Sequence, residues 1–98
     1  MAIWDKMKSE LDRAGRAAQQ ALDEGKLRLE VHRARQTADK YAMRLGYAVY
    51  RARKAGGELP PEEYAGLAGN VTNAEAEVAR LEKLLDEAAA RRKGAPTG

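Results

Sequence analysis

Few side chains in this chain are of the kind that does chemistry, and their spacing limits what they can do. His32 is the only histidine, with Glu30 and Asp39 the nearest acids in sequence. A general base or metal ligand needs convergent partners held in a dry pocket, whereas His32 stands among Arg28, Arg33 and Arg35. It reads as a helix-surface residue. The acids Glu62, Glu63, Glu75, Glu77, Glu82, Asp86 and Glu87 gather in the second half of the chain. A di-metal site in a helical bundle takes inward-facing Glu-x-x-His pairs, and the sequence has none, so these acids read as the solvated or cation-facing side of a helix. There is no cysteine, which removes thiolate nucleophiles, thiolate zinc sites and disulfides. No Gly-rich phosphate loop, nucleophile elbow or His-Glu-x-x-His run occurs. The sequence therefore predicts no catalytic residue, no metal ligand and no cofactor: a non-enzymatic protein.

Two surfaces remain as candidates for binding. Ile3, Trp4, Met7 and Leu11 fall on one helix face, and Lys6, Lys8, Arg13 and Arg16 lie within reach of lipid head groups. Tryptophan favours the membrane interface, so a membrane contact is one reading. Asp5, Glu10 and Asp12 dilute the positive charge and the later turns are alanine-rich. Packing against another protomer explains the same stripe and is the preferred reading. Tyr47 and Tyr50, off the seam beside Val49, are expected to widen the apolar contact surface toward a third or fourth helix. The second surface is the basic face of Arg28, Arg33, Arg35, Lys40, Arg44, Arg51 and Lys54, where phosphate binding needs only such a stripe and Tyr47 and Tyr50 offer stacking. No recognised nucleic-acid motif accompanies it, so nucleic acid ranks third, after protein and membrane.

The elements that carry these residues are helices. From residue 26 to 55, Leu27, Val31, Ala34, Ala38, Tyr41, Leu45, Ala48, Ala52 and Ala55 alternate in steps of four and three. That is an unbroken heptad seam and calls for a long helix packed along one face. Most of its side chains are alanine, so the partner must come close and supply the bulk. Tyr64, Leu67, Val71, Ala74, Val78, Leu81, Leu85 and Ala88 keep the same rhythm with larger side chains. Gly56-Gly57 suits a left-handed C-cap, and Pro61-Glu62-Glu63 is a helix start. A connection this short brings consecutive helices antiparallel. The second helix is expected over 61–92, running through Gly69-Asn70; a restart at Thr72-Asn73-Ala74-Glu75 as a capping box is the alternative.

Charge fits the pairing. Residues 26–54 hold nine basic and two acidic side chains, while 58–87 hold eight acidic and two basic. Opposite charge sets register and partner choice more than it adds stability. The pairing is possible within one chain or swapped between chains.

Ahead of the hairpin, residues 1–24 form an amphipathic helical arm with Trp4, Met7, Leu11, Ala14, Ala18 and Ala21 in heptad spacing. This stripe is out of step with the next one. The slip of one residue near Gly25 turns the apolar face by about 100°. Glycine also costs a helix interior about 1 kcal/mol, so a kink or short break is expected there, with a continuous helix as the alternative. Residues 94–98 are expected to form a flexible tail after a hairpin unit of 25–93.

At Leu45-Gly46-Tyr47-Ala48-Val49-Tyr50-Arg51-Ala52-Arg53-Lys54-Ala55-Gly56 the chain resembles a group of small bacterial coiled-coil proteins. These begin with Trp/Phe-Asp-Lys and follow a Leu-Gly…Tyr…Arg-Ala-Gly stretch with Pro-Glu and a second heptad helix. Trp4-Asp5-Lys6, the stretch just quoted, and Pro61-Glu62 leading to Glu77-Val78-Ala79-Arg80-Leu81-Glu82 fit that outline. The resemblance implies a helical hairpin and no particular activity. Some members add a C-terminal zinc ribbon, which a chain without cysteine does not have. The layout of arm and hairpin is also similar to that of PspA-type membrane-stress proteins.

Composition agrees. Charged residues make up 34% and aromatic residues 5% of the 98, with no phenylalanine, which suits long solvated helices rather than a thick core. A lone hairpin of this kind buries little, so self-association or docking on a partner is expected. No run of 18 apolar residues exists and Met1–Lys8 has no signal-peptide core. A bacterial cytoplasmic location is expected, with a membrane surface as the alternative site. Together these features describe an all-α antiparallel hairpin with an N-terminal arm, assembled into an oligomeric bundle and serving as an interaction or scaffold module.

Overall fold

The chain folds as two long helices, and the computed structural model describes residues 2–94. Helix α1 spans Ala2–Lys54 and helix α2 spans Pro61–Gly94. They pack antiparallel along one face into a rod of 83 × 16 × 16 Å. The protein is an all-α helical hairpin. No strand occurs among the described residues.

The turn follows from its glycines. Gly56 has φ +88°, a left-handed conformation that costs other residues a steric clash. The Gly57 amide donates to the Ala52 carbonyl and the Gly56 amide to Arg53, both at 3.0 Å. These two bonds are the Schellman pattern that closes a helix on orphan carbonyls. On the far side the Tyr64 amide donates to the Pro60 carbonyl at 2.9 Å, so Pro61 opens α2 where its missing N–H costs nothing.

Two expectations need correction. The break at Gly25, which would have separated an arm at 1–24 from a helix at 26–55, does not occur: α1 runs through it as one helix. Fifty-three residues at about 1.5 Å each give about 80 Å, which matches the 83 Å rod and leaves no room for a sharp bend. The physical reason is that a break forfeits several backbone hydrogen bonds, whereas one glycine costs about 1 kcal/mol. In addition, Arg28 bonds Glu24 across the glycine at 2.8 Å. Helix α2 runs through Gly69-Asn70 as one helix, so the alternative of a capping-box restart at Thr72 does not occur. The Thr72 hydroxyl donates back to the Ala68 carbonyl at 3.1 Å inside a continuous helix. Finally, Gly94 belongs to α2 rather than to the tail, and 95–98 lie outside the described residues.

Candidate interaction surface

The seam places its residues as the heptad spacing requires. Val31, Ala38 and Leu81 are buried, Leu81 to 5% exposure. Leu27, Ala34, Tyr41, Leu45, Ala48 and Ala52 of α1 are half-buried, as are Leu67, Val71, Ala74, Val78 and Leu85 of α2. Tyr64 and Ala55 stand apart: both are exposed near the turn, and Ala55, expected on the seam, lies past the end of α1 at Lys54. With only two helices, each seam residue is covered from one side, so few close completely.

Ion pairs fix the register. Arg35 donates to Glu82 at 2.7 and 3.1 Å, and Arg92 meets Glu24 at 2.8 Å. Glu24 is 6% exposed and is the only buried charged residue among those described. It also accepts from Arg28 at 2.8 Å, so both carboxylate oxygens are held by guanidinium groups. Sequence reasoning missed this clamp. Its signal was present: Glu24 lies three residues before Leu27 and Arg92 four after Ala88, so each extends its own seam by one step with opposite charge.

The clamp marks where the hairpin ends. Arg92 is level with Glu24, so α2 finishes near residue 22 of α1, and about 20 residues of α1 project past it for about 30 Å. Every residue from 2 to 23 is exposed. Ile3 is 76%, Trp4 71% and Leu11 70% exposed, with Met7 beside them. Trp4, Met7 and Leu11 line one shallow apolar surface, with Asp5 and Lys8 both at its edge. A second exposed line, of which sequence reasoning singled out only Tyr50 as a contact residue, runs opposite α2 through Leu22, Leu29, Met43 and Tyr50, at multiples of seven residues.

The basic face is less neutralised than the charge balance suggests. Among the described residues only Arg35–Glu82 and Arg92–Glu24 join the two helices; Arg28–Glu24 and Arg80–Glu77 lie within one helix each. Of the described cations, Arg33, Lys40, Arg44, Arg51 and Lys54 are in no ion pair. Arg44, Arg51 and Lys54 instead sit over the rings of Tyr41, Tyr47 and Tyr50 at 5.5, 5.8 and 5.9 Å. Tyr47 and Tyr50 are exposed, but one face of each ring is already taken by a cation one turn on.

His32 is exposed on α1, away from the seam. Among the described residues no group of three or more His, Cys, Asp or Glu side chains is placed to hold a metal ion. Among those residues, too, no helix is long and apolar enough to cross a membrane. Comparison with protein-family models, with curated proteins and with solved structures found no match.

Proposed function

We propose that this protein is a non-enzymatic interaction module in which the hairpin is a stiff stalk and the projecting end of α1 is the contact surface. The observation that carries this reading is the exposed stripe of Ile3, Trp4, Met7 and Leu11 on a helix that α2 leaves uncovered. A single helix in water has little stability beyond its propensity, and contiguous apolar surface on it marks a place for a partner. Asp5 and Lys8 border the surface together, a charge-balanced rim that suits a protein helix better than an anionic bilayer.

Sedimentation equilibrium of the full chain beside Leu11→Asp, with vesicle flotation in parallel, tests the reading. Association that is lost in Leu11→Asp at unchanged helical content supports it. A monomer that floats with anionic vesicles, and ceases to do so as Trp4→Ala, overturns it in favour of a peripheral membrane protein.

A second reading has its own observation. The free cations Arg33, Lys40, Arg44, Arg51 and Lys54 follow one another on α1 at helical spacing, which suits a phosphate backbone. Binding of a DNA duplex that weakens steeply with added salt would support it; no binding at about 50 mM salt would remove it.

A further inference from the structure

Because α1 passes through Gly25 without a break, its helical phase is never reset. The stripe of Trp4, Met7, Leu11, Ala14, Ala18 and Ala21 is therefore turned about 100° from the seam that α2 covers. A longer α2 following the seam would miss it, and the Glu24–Arg92 pair closes the seam at that end. The arm is built for a helix from elsewhere.

We infer that this helix is the arm of a second copy, packed antiparallel about a two-fold axis between Asp12 and Arg13. The inference rests on the assembly reading above and names its partner. Side-chain size carries it. The bulky residues Trp4, Met7 and Leu11 occupy one half of the stripe and Ala14, Ala18 and Ala21 the other. An antiparallel pair brings Trp4 onto Ala21 of the partner subunit, Met7 onto the partner's Ala18 and Leu11 onto the partner's Ala14. Every layer then joins one large and one small side chain, which is how a close-packed seam fills evenly. The flanking positions agree. Lys8 falls opposite Gly15 of the partner subunit, a position open enough that an added Cβ would meet nothing within 4 Å, and Glu10 falls opposite the partner's Ala17. No like charges meet.

The competing arrangement sets two hairpins side by side in parallel and uses the outer line of Leu22, Leu29, Met43 and Tyr50. It stacks Trp4 on its own copy, leaves the alanine layers thin, and lays residues 26–54, with nine basic side chains against two acidic, along their copy. The antiparallel arms overlap only residues 2–24, whose charges nearly cancel at four basic to five acidic, and send the basic stretches to opposite ends. The contact is small, near the lower limit of about 1,000 Å² for a specific interface, so the dimer forms in a concentration-dependent way.

Cysteine cross-linking reads the register directly, because the natural chain has no cysteine. Full-length Met7→Cys and Ala18→Cys chains, each helical by circular dichroism, are mixed and oxidised. The expected result is a disulfide between residues 7 and 18 in preference to 7–7 or 18–18. Small-angle scattering of the natural chain is expected to give a particle about 135 Å long, two 83 Å rods overlapping by about 30 Å. A dimer that cross-links 7 to 7, or that stays near one rod in length, overturns the antiparallel register while leaving self-association standing. A monomer at all concentrations overturns both.

Discussion

Leu81→Ala removes the most buried leucine of the seam, and its cost follows from the geometry. Leu81 is 5% exposed, and the Arg35–Glu82 pair sets it level with Ala34 and Ala38 on α1. The substitution deletes three carbons, about 2.4 kcal/mol at about 0.8 kcal/mol per buried methylene. In closed cores the residual cavity raises such losses toward about 5 kcal/mol. Here the seam is one helix deep on either side and water reaches its edges, so the cavity contribution is small. The expected loss is about 2 kcal/mol. For a domain of this size each kcal/mol is worth about 4–8 °C, so the melting temperature should fall by about 10 °C or more. Urea unfolding followed by far-UV circular dichroism measures it, with Leu84→Ala as the control. Leu84 is already 36% exposed and should lose less than half as much. Equal losses at the two positions, or a Leu81→Ala loss below about 0.5 kcal/mol, would refute the seam packing.

Other perturbations probe the turn, the helix, the clamp and one carboxylate. Gly56→Ala forces a Cβ into a backbone at φ +88° and should cost about 1–2 kcal/mol, while Gly25→Ala, with nothing within 4 Å of the new Cβ, should stabilise α1 by up to about 1 kcal/mol; urea unfolding measures both. Arg92→Ala should cost about 0.5–1 kcal/mol, because Arg92 is half exposed and Glu24 keeps Arg28. Glu24→Leu with Arg92→Leu should be at least as stable as the natural chain, since a leucine pair at these seam positions needs no buried charge; urea unfolding of the pair decides it. Two hydrogen bonds from Arg80 hold the Glu77 carboxyl below its ordinary value of 4.5. The stabilisation from this pair is therefore present above that value and lost as pH falls through the lowered one. A carboxyl titration by NMR should show Glu77 returning upward in Arg80→Gln.

The hairpin is legible in the sequence because its signals are periodic and local. Four-three spacing fixes which residues of each helix meet, Gly56-Gly57 and Pro61 fix where the helices stop and start, and a short connection leaves only the antiparallel arrangement. What is not legible depends on competition between terms of similar size. The phase slip and Gly25 both argue for a break, but hydrogen bonds continuing through the glycine outweigh its helix cost. Counted as net charge, the acidic second helix should neutralise the basic first one. Most cations of α1 lie at positions that α2 does not reach, and three of them turn back onto tyrosine rings of their own helix. Glu24 and Arg92 escape notice because a heptad reading looks for apolar residues, and both seams end on charge.

The stripe at the head of α1 is apparent in both sequence and structure, and its proposed role requires that another helix cover it in solution. Trp4 is the only tryptophan and sits on that stripe, so its fluorescence reports the contact without a label. As protein concentration rises, its emission should shift to the blue and its quenching by acrylamide should fall, and Leu11→Asp should abolish both changes. Emission that stays that of a water-exposed indole at every concentration would mean that no helix covers the stripe.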